Sequence, residues 1–243
     1  MSDPADDNAT IWQSAEGVQA WAAEAEAQER QRVVHRRFLA GLLPFGEQED
    51  FTFLDLGAGT GAASRIILDR YPRSTAVLAD FSAEMMRAGE REMQRFAGRY
   101  RYAEFDMAAG EWPDAIPAPL DAVVTSMCVH HLPDDRKQSL FAEIFGHLAP
   151  GGWYLNYDLV RGDDPVVEAT WQRVGGHDDP EAAARLGQWR HEHQESWANH
   201  VRYMIPLGPQ LGFLRSAGFE GVDVYWKQLE NVIYGGRRPA PEA

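Results

Sequence analysis

The segment Leu54-Asp55-Leu56-Gly57-Ala58-Gly59-Thr60-Gly61 constrains this chain more than any other. The apolar run Phe51 to Leu56 before it reads as a short buried strand, and Ala62 to Arg70 after it reads as a helix that stops before Pro72. The glycines between them permit a tight turn in which backbone atoms approach a ligand and the first helical N–H groups point at its polar end. Strand, glycine turn and helix in this order open a doubly wound α/β fold.

The alternation then repeats. Thr75 to Ala79 is a second buried strand ending in Asp80, and Ser82 to Phe96 is a helix with Met85, Met86, Met93 and Phe96 on its apolar side. Tyr100 to Phe105, ending at Asp106, and Leu120 to Ser126 are the third and fourth strands. An amphipathic helix with Leu140, Ile144 and Leu148 follows, stopped by Pro150-Gly151-Gly152, and Trp153 to Tyr157 is the fifth strand. About fifty residues rich in Trp and His interrupt the pattern before Leu207, Leu211 and Leu214 resume it. The strands Val222 to Trp226 and Asn231 to Gly235 are joined by so few residues that they must pair antiparallel. The expected architecture is a doubly wound, Rossmann-like, seven-stranded, mostly parallel sheet with an antiparallel last strand, an N-terminal helix and a helical insert after strand 5. It is read as one domain over 1–243, with an N-terminal helical cap at 11–43, a core at 51–158 and 207–236, and the insert at 159–206. In the cap, Val34, Phe38 and Leu42 recur every four residues, with Val33 and Leu39 beside them.

A formal net charge of -14 opposes binding to nucleic acid unless a basic patch overrides it. The candidate patch, Arg30, Arg32, Arg36 and Arg37 with His35, alternates with Glu24, Glu26 and Glu29 and reads as a solvated helix face. No apolar run is long enough to span a membrane, no secretory leader is visible, and the lone Cys128 agrees with a reducing compartment. A cytoplasmic protein that meets neither nucleic acid nor membrane is expected.

Gly57-x-Gly59-x-x-Ala62 also satisfies the dinucleotide pattern. Two features point elsewhere: the turn lies more than fifty residues into the chain, and Asp55, inside the strand, can face the cationic end of a ligand. With the antiparallel end of the sheet, the chain resembles the class I S-adenosylmethionine (SAM) dependent methyltransferases over roughly Phe51 to Tyr157 and Leu207 to Gly236. The resemblance implies SAM as cofactor, with Asp55, Gly57, Ala58, Gly59 and Gly61 around its methionine part. It implies Asp80 on the two ribose hydroxyls, Phe81 and Met85 flanking the adenine, Asp106 with Met107 at the adenine edge, and Ser126 to Leu132 lining the floor. Each has a plainer alternative: Asp80 as the cap of the next helix, Asp106 as a loop acid, Phe81 and Met85 as core, and His130 and His131 as structural.

Methyl transfer from a sulfonium is an in-line displacement, to which alignment contributes roughly 7–11 kcal/mol. A base is needed only where the nucleophile carries a proton. Tyr157, Asp158 and His131 are the catalytic candidates, with Tyr157 and Asp158 expected just past the fifth strand. A small-molecule acceptor is expected under the insert and cap, at Trp21, Trp189, His193, Trp197 and Tyr203, and no metal site is expected. The insert also resembles that of carboxy-SAM synthases, so a non-methylating SAM enzyme is an alternative reading and a SAM-binding module without turnover a second one.

Overall fold

The computed structural model describes residues 32–178 and 201–241, with the isolated positions 184, 187, 188, 191 and 198. Helix α1 (32–42) precedes β1 (Thr52–Leu56), α2 (Ala62–Arg70), β2 (Thr75–Asp80), α3 (Ala83–Met93), β3 (Tyr100–Glu104), β4 (Leu120–Ser126) and α4 (Asp134–His147). Then come β5 (Leu148–Leu159), α5 (Pro165–Asp178), α6 (Leu207–Ala217), β6 (Glu220–Gln228) and β7 (Asn231–Arg237). The strands form one sheet in the order β3-β2-β1-β4-β5-β7-β6. β1 to β5 run parallel, and β7 runs antiparallel to both β5 and β6. This is the expected α/β, Rossmann-like sheet.

The chain winds outward from β1 to β3, returns, and continues through β4. The order therefore reverses between β1 and β4, and in an open α/β sheet the crevice beyond the carboxyl ends of those two strands is where a ligand is received. The central strands are buried on both faces: Phe53, Leu54 and Leu56 of β1 are wholly covered, as are Ala122, Val123 and Val124 of β4. Alternation sends Leu54, Leu56, Val123 and Tyr154 into one core layer with α4 and α6. It sends Phe53, Val124, Leu155 and Tyr157 into the other, with α1 and α2. Burial of each large apolar side chain contributes about 1.5–3 kcal/mol.

Two expectations and one alternative reading are corrected. Val34 and Phe38 do not form the buried side of α1, being 60% and 44% exposed; Arg36, Leu39, Ala40 and Leu43 are buried instead, and the Tyr71 hydroxyl donates to the carbonyls of Ala40 and Leu43. Two apolar stripes compete on this helix, and the one carrying an arginine faces the protein. Leu148 opens β5 rather than closing α4, because the helix ends at His147. Asp80 is not the cap of α3: the Ser82 side chain accepts from Met85 N and takes that role. No helix among the described residues is long and apolar enough to cross a membrane.

Candidate active site

Gly57, Gly59 and Gly61 all adopt left-handed conformations, with φ of 72°, 53° and 77°. That explains why three glycines stand in this turn. A Cβ at Gly57 would lie 2.7 Å from Cys128 Sγ and 2.8 Å from Met107 Cε, so the loop is also closely packed. The N–H groups of Gly57 and Ala58 both donate to Ala79 O, Gly59 N donates to Asp80 Oδ2 at 2.7 Å, and Gly61 N donates to Ala58 O. Arg65 Nη1 holds Thr60 O, and the Tyr102 hydroxyl donates to Gly59 O.

Beneath the start of α2 lies Asp55, 1% exposed, whose Oδ2 accepts from Ser64 N and Ser64 Oγ. Its Oδ1 is buried with no hydrogen-bond partner among the described residues, and burial pushes its pKa up to about 6. The positive end of α2 is thus already met by a carboxylate, and most amides of the turn are spent inside the protein. A pyrophosphate would find neither the donors nor the potential it needs, whereas a cation would find an unsatisfied acceptor.

Asp80, at the end of β2, is 7% exposed and splits its carboxylate between Gly59 N and Ser82 N, the latter at 2.9 Å from Oδ1. The Phe81 backbone N–H also bears on this carboxylate, and with about four acceptor positions it still has capacity for a further donor. Phe81 is half-buried and Met85 buried, its Cε 3.0 Å from where a Gly59 Cβ would sit. Asp106 is exposed and its Oδ1 accepts from Ala108 N, which makes a local turn; Met107 beside it packs partly against the core.

Over the ends of β4 and β5 lies α1. Arg36, 5% exposed, donates from Nε to Ser126 Oγ at 3.0 Å and acts electrostatically on Asp55. His35 shares a 3.0 Å hydrogen bond with the Tyr157 hydroxyl, which also donates to Asn231 Oδ1, and its ring lies 4.0 Å from that of Trp226. Arg36 and His35 thus turn inward from the solvated face expected for them, while Arg37 is exposed. Sequence reasoning missed Arg36 and His35 as site residues, and no local pattern distinguishes them from their exposed neighbour Arg37.

Tyr157 and Asp158 both lie inside β5, and both are buried. Successive strand residues point to opposite faces, so the pair expected to share one acceptor is split. Tyr157 turns to α1. Asp158 turns the other way and accepts from His130 N at 3.0 Å and from His130 Nδ1 at 2.5 Å. Burial raises the Asp158 pKa to about 6. Burial, with the charges of Lys137 and Arg32, lowers that of His130 to about 3, so a neutral imidazole faces a carboxylate at pH 7. Lys137, fully buried, donates to Leu132 O at 2.5 Å and also to Tyr203 O. The same polar layer runs through Thr125, Asn156, Tyr234 and Gln210. His131 is half-buried with its ring 4.0 Å from that of His130. Trp21, Trp189, His193 and Trp197 lie outside the described residues. Tyr203 is half-buried, and among the described residues its carbonyl on Lys137 links it to the site layer.

A family model described as "Methyltransferase domain" matches residues 54–154. A trans-aconitate 2-methyltransferase of Azoarcus sp. (strain BH72) is 31% identical over 192 residues, which cover 79% of this chain and 70% of that protein. The chain belongs to the class I SAM-dependent methyltransferases. Solved structures carry the same fold. An O-methyltransferase family protein from Burkholderia thailandensis superposes with a TM-score of 0.66 at 19% identity, over 93% of this chain and 61% of its own. A structure described as PigF with SAH superposes with a TM-score of 0.61 at 14% identity, over 94% of this chain and 61% of its own. The chain thus spans only about three-fifths of either solved chain. SAM is the cofactor of this methyltransferase family, and the orphaned Oδ1 of buried Asp55 fits a ligand that carries an ammonium group.

Proposed function

We propose that this methyltransferase transfers the methyl group of SAM to a carboxylate oxygen of a small organic acid, within a single domain over 1–243 composed as the sequence suggested. When bound, SAM supplies an activated methyl group, and a carboxylate acceptor needs no proton removed before it attacks. The turn from Gly57 to Gly61 shapes the methionine pocket and Asp55 draws the ammonium group. Asp80 meets the ribose, Phe81 and Met85 flank the adenine, and Asp106 and Met107 stand at its edge. Ser126 and Tyr157 form the floor on the side of α1.

The observation that carries the acceptor class is Arg36. A guanidinium 5% exposed at the carboxyl edge of the sheet, in a chain of net charge -14, suits the recognition of a carboxylate. Arg32 adds to the same field, since its charge lowers the pKa of His130. The Azoarcus relative is named for an aconitate, which is consistent with this reading. His131, Tyr157 and His35 orient the acceptor, and Asp158 holds His130 from the other face of β5. The residues of the insert and cap beyond the described positions, Trp21, Trp189, His193 and Trp197, remain the proposed walls of the acceptor pocket.

Radiolabelled SAM and a panel of small organic acids test this. A labelled product that releases methanol in mild alkali is a methyl ester and supports it. An alkali-stable ether or amine, a modified cofactor, or bound SAM without turnover rejects it in favour of another acceptor, of cofactor modification or of a non-catalytic module. Replacement of Arg36 by Met is expected to raise the acceptor KM at least about tenfold, the scale for losing a charged hydrogen bond, while the Kd for S-adenosylhomocysteine (SAH) moves less than about threefold. A large rise in the SAH Kd instead would assign Arg36 to the cofactor.

A pH dependence follows from Asp55. Its pKa, about 6 when folded, lies above its unfolded value of about 3.9, so the folded state holds the proton more tightly. The stability tied to that proton is complete below about pH 4 and is lost as pH rises through about 6. Affinity for SAH should move oppositely, strengthening over the same window as Asp55 ionises and attracts the ammonium group. Thermal melts and calorimetry of the parent and Asp55→Asn between pH 4.5 and about 7.5 check both signs; the variant should lose the affinity trend and show a shallower stability trend, the remainder coming from buried groups such as Asp158, whose pKa burial also raises to about 6.

A further inference from the structure

Between Glu104 and Leu120 the chain runs without helix or strand, longer than most connections in a compact domain. This segment carries Asp106 and Met107; Arg101 Nη2 holds its far end through Ala115 O at 2.8 Å, and side chains of α4 tie down its middle. Arg136, in the first turn of α4, donates from Nε to Met107 O at 2.6 Å. Its Nη1 and Nη2 bind the two oxygens of Glu143, about two turns further along α4, at 2.6 and 2.7 Å. Trp112, in the same segment, donates from Nε1 to Glu143 Oε2 at 2.9 Å, and its ring stacks on His147 at 3.9 Å. Gly110 passes beside the guanidinium, where a Cβ would lie 3.6 Å from Arg136 Cζ. The segment is thus gripped at Met107 and at Trp112 by one Arg136–Glu143 pair, and the Arg136 side chain is only 12% exposed.

We infer that Arg136 is a positioning residue that sets the purine selectivity of the cofactor site, by fixing the height of the Asp106–Met107 turn above the carboxyl ends of β1 and β4. This rests on the proposal that Asp106 and Met107 meet the adenine edge. A forked guanidinium holds Glu143 with two parallel bonds while its third nitrogen holds a carbonyl, and a lysine ammonium cannot do both. Among the described residues the turn's other hydrogen bonds are local, Asp106 Oδ1 accepting from Ala108 N and Asp106 O from Ala109 N, and the Met107 side chain is anchored against Gly57 and the core, so without the grip the Met107 carbonyl and the Asp106 side of the turn lose their place.

The test compares SAH with S-inosylhomocysteine, which differs only at the purine edge, by calorimetry on the full chain. The parent should prefer SAH, and Arg136→Lys should weaken SAH about tenfold while leaving the inosine analogue almost unchanged, so that the preference collapses. Trp112→Phe keeps the ring stack, removes only the N–H, and should move the ratio the same way by less; it serves if the arginine variant does not fold. Asp106→Ala separates the two layers of the argument. If it abolishes the preference while Arg136→Lys and Trp112→Phe do not, the inference fails and the assignment of Asp106 stands. If it leaves the preference intact, that assignment fails and the inference with it. An equal loss for both ligands in Arg136→Lys reduces the grip to a general structural role and also overturns the inference.

Discussion

Replacing Asp80 by Ala is expected to weaken SAH binding by about 1.5–3 kcal/mol, roughly ten- to a hundredfold or more, the range for hydrogen bonds to a charged group. The carboxylate has two tasks here. It accepts from Gly59 N and Ser82 N, which fixes the glycine turn relative to α3, and it retains acceptor capacity toward the adjacent ribose hydroxyls. Asp80→Asn separates the tasks. The amide keeps one carbonyl oxygen for one of the backbone donors and loses half of the acceptor capacity, so a melting temperature near that of the parent with an SAH Kd raised about tenfold assigns the effect to the ligand. If both variants bind SAH as the parent does, Asp80 serves the turn alone.

The second large effect concerns the fold. A Cβ at Gly235 would lie 2.0 Å from Tyr154 O, a backbone atom of the neighbouring strand that no rotamer can move aside. Gly235→Ala must push β7 away from β5, and a loss of about 4 kcal/mol or more is expected, at the upper end of what single substitutions do. For a chain of this size that lowers the melting temperature by about 10 °C. Gly146 in α4, with nothing within 4 Å of its would-be Cβ, is the control: alanine there should stabilise slightly. A melting temperature unchanged by Gly235→Ala would mean that the β5–β7 pairing is looser than described.

What the sequence disclosed was local. The strand, glycine turn and helix from Phe51 to Arg70 stand where the pattern put them, because apolar runs, left-handed glycines and a stopping Pro72 act over a few residues. The hairpin of β6 and β7 was equally readable from the shortness of its connection. What stayed hidden depends on which side of an element the rest of the protein covers. Helix α1 carries two plausible apolar stripes, and only the sheet beneath it selects the one with Leu39, Leu43 and Arg36. Tyr157 and Asp158 were assigned together because they are adjacent, although the strand period already separates them. Lys137 was missed for want of a simple check: it lies three, four and seven residues before Leu140, Phe141 and Ile144, on the buried side of α4, while Arg136 next to it does not.

The antiparallel seventh strand has a consequence for any shortened form of this protein. The two outermost strands carry charges, Arg101 and Glu104 on β3 and Glu220, Asp223 and Lys227 on β6, which discourage pairing with another molecule. β5 has no such protection along Trp153 to Tyr157, since β7 covers it there through the paired residues Ile233 to Arg237. A chain shortened to end just after β5 would lose β7 and present Trp153 to Leu159 as a bare, mostly apolar edge. Such a fragment would self-associate through that edge, so the last strands act as the chain's own guard against aggregation.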